Sequence, residues 1–343
     1  MKRIAVAVGL AGIVVVGGVF FWRTVKVHAM SVPINIKDFP EHGVRIIAAS
    51  DPTFVRRAES FFEGQPQTIV DRVKPFSVLL ENSGTLAIVG STVKWEITKR
   101  DGTTFNQPVS SVNTRALMDG EPRSIQTTRG AAIPPNSIRF VSVLGSAGEG
   151  QRVDLSRSWI AFRGSPSEGE AFRRALADSN MDEAFNRSII GKVLTEATSV
   201  TVSVDLVFFE DGTFVGDDKG DFFNKVKADM DAQYDLYTEV TVAQYEGKTL
   251  EEIFKRVGEL AASHSQTRKS SPEIDSYSGK QKSEAPIEST KRRYSDEYDR
   301  SKTLYAQELI GMRGALGAKE AIAQKLQLLD KPRKLLRRRS TDK

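Results

Sequence analysis

The sequence predicts an α+β chain: an antiparallel β-sandwich with helical insertions, preceded by a transmembrane or signal helix and followed by a C-terminal helical extension. Three observations predict it. Short runs such as Val93–Thr98 and Val200–Phe209 alternate apolar and polar residues with period two, the pattern of a strand with one dry face. Turn residues such as Asn82-Ser83-Gly84, Asp101-Gly102 and Asp211-Gly212 separate these runs at short intervals, which favours antiparallel pairing. Elsewhere the apolar spacing changes to three and four, the period of a helix.

Taken in order, residues 1–29 come first. Lys2 and Arg3 precede Ile4–Trp22, nineteen uncharged residues, close to the ~20 needed to span a bilayer. Trp22, Arg23 and Lys26 suit the far interface, and the charges at Lys2 and Arg3 favour an N-inside orientation. Val27-His28-Ala29 also offers small residues for signal cleavage. The expectation is a cell-envelope protein, single-pass and anchored in the inner membrane, with its bulk extracytoplasmic. The alternative is a secreted or periplasmic product after cleavage.

Residues 30–262 are expected to form the sandwich domain. Phe76–Glu81 reads as a strand, Val93, Trp95 and Ile97 point inward on the next, and Ile138–Leu144 forms another. Along Val200–Phe209, one face is expected to carry Val200, Val202, Val204, Leu206 and Phe208, and the other Thr201, Ser203 and Asp205. Asp211-Gly212 suits a two-residue hairpin with positive φ at both positions, which would set Phe209 across from Phe214. The glycine-rich run Gly145–Gly150 reads as a hairpin loop.

Helices are expected at Glu168–Ala177 and Met181–Ala197, as an insertion before the Val200 strand. Asp221 suits the cap of a helix carrying Phe222, Val226 and Met230, while Thr249 and Glu252 form a capping-box pattern ahead of Ile253, Phe254 and Val257. Ser, Lys, Glu, Pro and Thr dominate residues 263–293, a composition unable to bury a core, so a flexible linker is expected there. Residues 294–330 carry an amphipathic stripe of Tyr305, Leu309, Met312, Leu316, Ile322, Leu326 and Leu329, suited either to a protein partner or to folding back on the domain. Residues 331–343 form a basic tail.

The segments LLENSGTLAIVGSTVKWEITKRDG, AAIPPNSIRFVSV and VSVDLVFFEDGTFVG follow one another in that order. Together they resemble uncharacterised exported bacterial proteins with an immunoglobulin-like β-sandwich, over roughly Phe76 to Gly216, with interruptions. The resemblance implies a fold and a compartment, and no activity.

Composition excludes several chemistries. There are no cysteines, hence no disulfides, thiolate nucleophiles or cysteine-ligated metals. His28, His42 and His264 stand apart and form no HExxH pair. Ser91-Thr92-Val93-Lys94 matches the SxxK spacing of serine acyl-enzymes but lies on an expected strand rather than a helix start. Asp217, Asp218 and Asp221 could supply oxygens to calcium, yet they lack the EF-hand order and equally suit turn and cap duty. No catalytic residue, cofactor or metal site is assigned.

The net charge of +5 is concentrated in the tail, where seven Lys or Arg and one Asp lie between Lys331 and Lys343. The tail suits an anionic surface, and the near-neutral remainder argues against a specific nucleic-acid partner. The function expected is a non-enzymatic envelope interaction or scaffold protein. The alternative is a calcium-assisted enzyme or binding module using the Asp-rich loop after the Val200 strand.

Overall fold

β-branched and aromatic residues at alternate positions build two sheets on which the helices rest. The structure is a computed structural model that describes residues 32–119, 132–153, 155, 185–186, 188–267, 286–327, 329 and 334–339. Residues from Pro33 onward belong to one unit. The helix expected within residues 1–29 and the one at Glu168–Ala177 lie outside the described residues. No helix among the described residues is long and apolar enough to cross a membrane.

The first sheet contains β1 (Ile34–Lys37), β4 (Ile88–Lys99), β5 (Thr104–Val112), β8 (Ala197–Phe209), β9 (Thr213–Gly216) and β10 (Arg337–Arg338). Its order is β10-β9-β8-β4-β5, and β1 pairs beside β8. The second contains β2 (Val44–Ala48), β3 (Ser77–Asn82), β6 (Ser137–Ser142) and β7 (Gly145–Gly148), in the order β2-β3-β6-β7. Apart from β1 on β8 and β10 on β9, which are parallel, the pairings are antiparallel. The architecture is therefore mixed α and β with mainly antiparallel sheets. The run Gly145–Gly148, expected as loop, is the edge strand β7, because backbone hydrogen bonds to β6 need no side chain.

Val93, Trp95 and Ile97 are fully buried, as their alternation requires. Trp95 Nε1 donates to the carbonyl of Phe76 at 3.0 Å, just ahead of β3, and so ties the dry face of the first sheet to the second. Helices α1 (Pro52–Ala58) and α2 (Gln67–Val73) flank the turn holding Phe61 and Phe62, whose rings lie 5.5 and 5.1 Å from that of Phe140 on β6.

The alternation along β8 is broken at Asp205. Val204 pairs with Val93 but Leu206 pairs with Thr92, which leaves Asp205 as a bulge. Paired residues share a face and neighbouring residues of β4 do not, so Leu206 and Phe208 turn to the side opposite Val200, Val202 and Val204. There they pack with Val89, Phe214, Phe222, Val226 and Met230.

The two Asp-Gly hairpins share a three-residue design. Gly212 N donates to Phe209 O at 2.9 Å and Gly102 N to Lys99 O at 3.0 Å, with φ of 83° and 79° at the glycines. Neither aspartate has positive φ, so each hairpin is a turn followed by a left-handed glycine, and Phe208 rather than Phe209 pairs with Phe214. In both, the aspartate Oδ1 accepts from the next-but-one threonine, at 2.9 Å from its N–H and 2.6 Å from its hydroxyl. That local bond holds the aspartate in the turn and displaces the expected two-residue form.

The remaining helices are α3 (Thr114–Asp119), α4 (Ile189–Glu196), α5 (Phe222–Tyr245), α6 (Leu250–Thr267), α7 (Pro286–Leu316) and α8 (Ala318–Leu326). α5 begins on the sheet through Phe222, Val226 and Met230 and ends in a second core. In that core Leu236, Tyr237 and Val240 meet Ile253, Phe254, Val257, Leu309 and Ile322. The stripe on α7 and α8 thus packs within the chain, with Tyr305, Met312, Leu326 and Leu329 against the same core. The capping box forms: Thr249 N donates to Glu252 Oε2 at 2.8 Å and Glu252 N to Thr249 Oγ1 at 3.3 Å. α6 and α7 take up both ends of the segment expected as linker, and residues 268–285 lie outside the described residues.

A polar ladder joins α5 to α7. The Tyr294 hydroxyl donates to Asp231, that of Tyr298 to Asp235 at 2.8 Å, and Lys302 Nζ to Glu239 at 2.6 Å. The partners rise together along both helices, from Asp231 and Tyr294 to Glu239 and Lys302, so α5 and α7 run parallel.

Candidate functional site

Two chemically loaded segments meet at one end of the first sheet: the aspartates after β8 and the basic C-terminal strand. Asp205 is buried, and its bulge aims the carboxylate at the following turn. Oδ1 accepts from Lys219 N at 3.0 Å and Oδ2 from Gly220 N at 2.8 Å. Gly216, at φ +118°, lets the turn close, since a Cβ there would stand 2.2 Å from the Asp205 carbonyl oxygen.

Asp218, not Asp221, caps α5. Its Oδ1 accepts from Phe222 N at 2.7 Å and Phe223 N at 3.2 Å. Asp221 adopts φ 57° and makes no cap bond; its carboxylate accepts instead from Asn224 Nδ2 at 2.6 Å. Burial raises the Asp218 pKa against the bonds from Phe223 and Phe222, and the nearby Asp205 and Asp221 charges add to the rise. Asp217 is exposed and pairs with Lys219 at 3.4 Å. The three residues considered for calcium thus face α5, Asn224 and solvent respectively. Among the described residues, no group of three or more His, Cys, Asp or Glu is placed to hold a metal ion.

The described part of the basic tail is an edge strand. Arg337 N donates to Gly212 O at 3.1 Å and Arg339 N to Phe214 O at 2.9 Å. Lys334 Nζ donates to the carbonyls of Ala116 and Glu210. Arg338 Nη1 donates to Gly216 O at 2.5 Å, and its guanidinium lies 5.2 Å from the Phe214 ring. Arg339 lies 3.8 Å from the centre of the Phe209 ring, donates to Thr213 Oγ1 at 2.6 Å and approaches Asp211 to 3.6 Å. Three cations of the segment read as suited to an anionic surface therefore bond within the chain.

A pH dependence follows. Burial opposes ionisation of Asp211, but the bonds from Thr213 and the charge of Arg339 outweigh it and hold the pKa below the ordinary 3.8. Its contribution to stability is present above that pH and is lost as pH falls below it. Asp218 has the opposite sign: its raised pKa favours the fold most when it is protonated, and that advantage fades as pH rises through its folded value. Asp211→Asn is expected to flatten the acid limb of melting temperature measured between about pH 5 and pH 2. Identical acid limbs in the two proteins would show that the Asp211 cluster contributes nothing.

Other sequence candidates are dispersed. Ser91 and Lys94 both lie on β4, three residues apart, and so point to opposite faces. His42 sits in the turn before β2, 3.8 Å from Glu41; His28 is outside the described residues. Sequence reasoning passed over Arg139, an arginine inside the apolar run Ile138–Leu144. A charge at mid-strand among buried neighbours was the available signal. No protein-family model, curated protein or solved structure matches the chain.

Proposed function

We propose that this is a non-enzymatic interaction or scaffold protein of the cell envelope, in which an immunoglobulin-like sandwich carries a helical bundle toward a protein partner. Residues 1–29 attach it to the membrane or direct its export. Support for the sandwich comes from the pairing order. β2-β3-β6 and β5-β4-β8-β9 correspond to A-B-E and C′-C-F-G of an immunoglobulin domain, with buried Trp95 on the C-type strand.

The observation that carries the interaction reading is the far end of the bundle. Tyr245, the last residue of α5, is 89% exposed, and Val242 and Leu316, the last residue of α7, are exposed as well. Val242 and Tyr245, three residues apart in the last turn of α5, share one face of that helix. Exposed apolar side chains gathered on a rigid support suit a protein interface, where tyrosine is enriched.

A photo-crosslinker at Tyr245 in intact cells is expected to give one discrete heteromeric adduct, absent when the probe replaces Asp101. In the same cells, Val242→Glu should remove the adduct without changing the melting temperature. No Tyr245-specific adduct, or an adduct indifferent to Val242→Glu, would defeat the proposal.

A further inference from the structure

Arg139 stands mid-strand on β6, between Leu80 of β3 and Gly148 of β7. It is 4% exposed. Nε donates to Ser146 Oγ at 3.3 Å, and Nη1 is buried without a protein partner. Among the described residues no carboxylate pairs with it, and burial alone pushes its pKa down to about 10. A buried cation is costly unless it is paired or fully hydrogen-bonded, so this guanidinium calls for an anion.

The surroundings supply a second donor and a route. Ser146 accepts from Nε, which leaves its own hydroxyl proton free to donate. It is partly exposed on β7, the outer strand of its sheet, and Gly148 places no side chain beside the arginine. We propose that Arg139 and Ser146 hold a small oxyanion, a carboxylate or a phosphate, at the β7 edge. The two donors bind its oxygens, and the apolar face around Leu80 and Val141 excludes water from the contact.

The test is a melting titration of the full chain with inorganic phosphate and, separately, with acetate, each compared with sodium chloride at matched ionic strength. At least one is expected to raise the melting temperature by about 5 °C beyond chloride at ~100 times its Kd, and the one that does so identifies the oxyanion class. Arg139→Met should abolish the excess shift, and Ser146→Ala should weaken binding about tenfold. Shifts equal to chloride for both anions, or an undiminished excess in both variants, would overturn the proposal. If Arg139→Met does not fold, Ser146→Ala decides: full binding in that variant overturns it.

Discussion

Trp95→Ala is expected to lower the free energy of unfolding by about 3–5 kcal/mol, the range for emptying a large buried aromatic site. Trp95 is fully buried on β4, and its indole reaches across to the Phe76 carbonyl just ahead of β3 in the other sheet. Its loss therefore opens a cavity that neither sheet can close alone, because each is fixed by its own ladder. The Phe76 carbonyl also loses its donor. Trp95→Phe separates the two effects: it keeps most of the volume and removes the hydrogen bond, at about 1–3 kcal/mol. Denaturant midpoints measure both, provided the slope is unchanged. A loss under about 1 kcal/mol for the alanine variant would mean that the sheets do not depend on this contact.

Asp205→Ala is expected to cost about 2–4 kcal/mol, since it strips the Lys219 and Gly220 amides of a charged acceptor inside a partly buried turn. Asp205→Asn keeps one acceptor oxygen and should cost roughly half as much. Amide hydrogen exchange gives a local readout: Lys219 and Gly220 should exchange faster in the alanine variant while Val93 and Trp95 stay protected. Gly216→Ala attacks the same turn through its clash with the Asp205 carbonyl, so the two substitutions together should cost less than their sum. Strict additivity would show that the bulge and the turn are independent.

The sequence was readable where structure is decided locally. Val93, Trp95 and Ile97 announce a one-faced strand because only one side of β4 is dry there, and Thr249 with Glu252 announces a helix start because the bonds close within one turn. Features decided by distant partners were hidden. The bulge at Asp205 depends on the register against Thr92 and Val93 and on amides 14 and 15 residues later, so perfect alternation on paper gave the wrong face for Leu206 and Phe208. Asp218 and Asp221 are interchangeable as letters and share a left-handed φ of 56° and 57°, yet only Asp218 reaches the first amides of α5. Strand β10 has no strand-like composition; Arg338 and Arg339 are held there by the rings of Phe214 and Phe209, more than a hundred residues earlier. The stripe on α7 was legible as apolar, but its partners on α5 and α6 were not.

One edge of β8 is divided: β1 occupies Val200 to Ser203 and β9 occupies Leu206 to Phe208, while α5 rests on the second half. A pull that enters at Ile34 and leaves through α5 therefore runs lengthwise along β8. Under that load the parallel β1–β8 bonds are sheared together instead of being unzipped singly. Tension between the first strand and the bundle meets the stiffest direction of the sheet, and a pull across the strands meets the weakest.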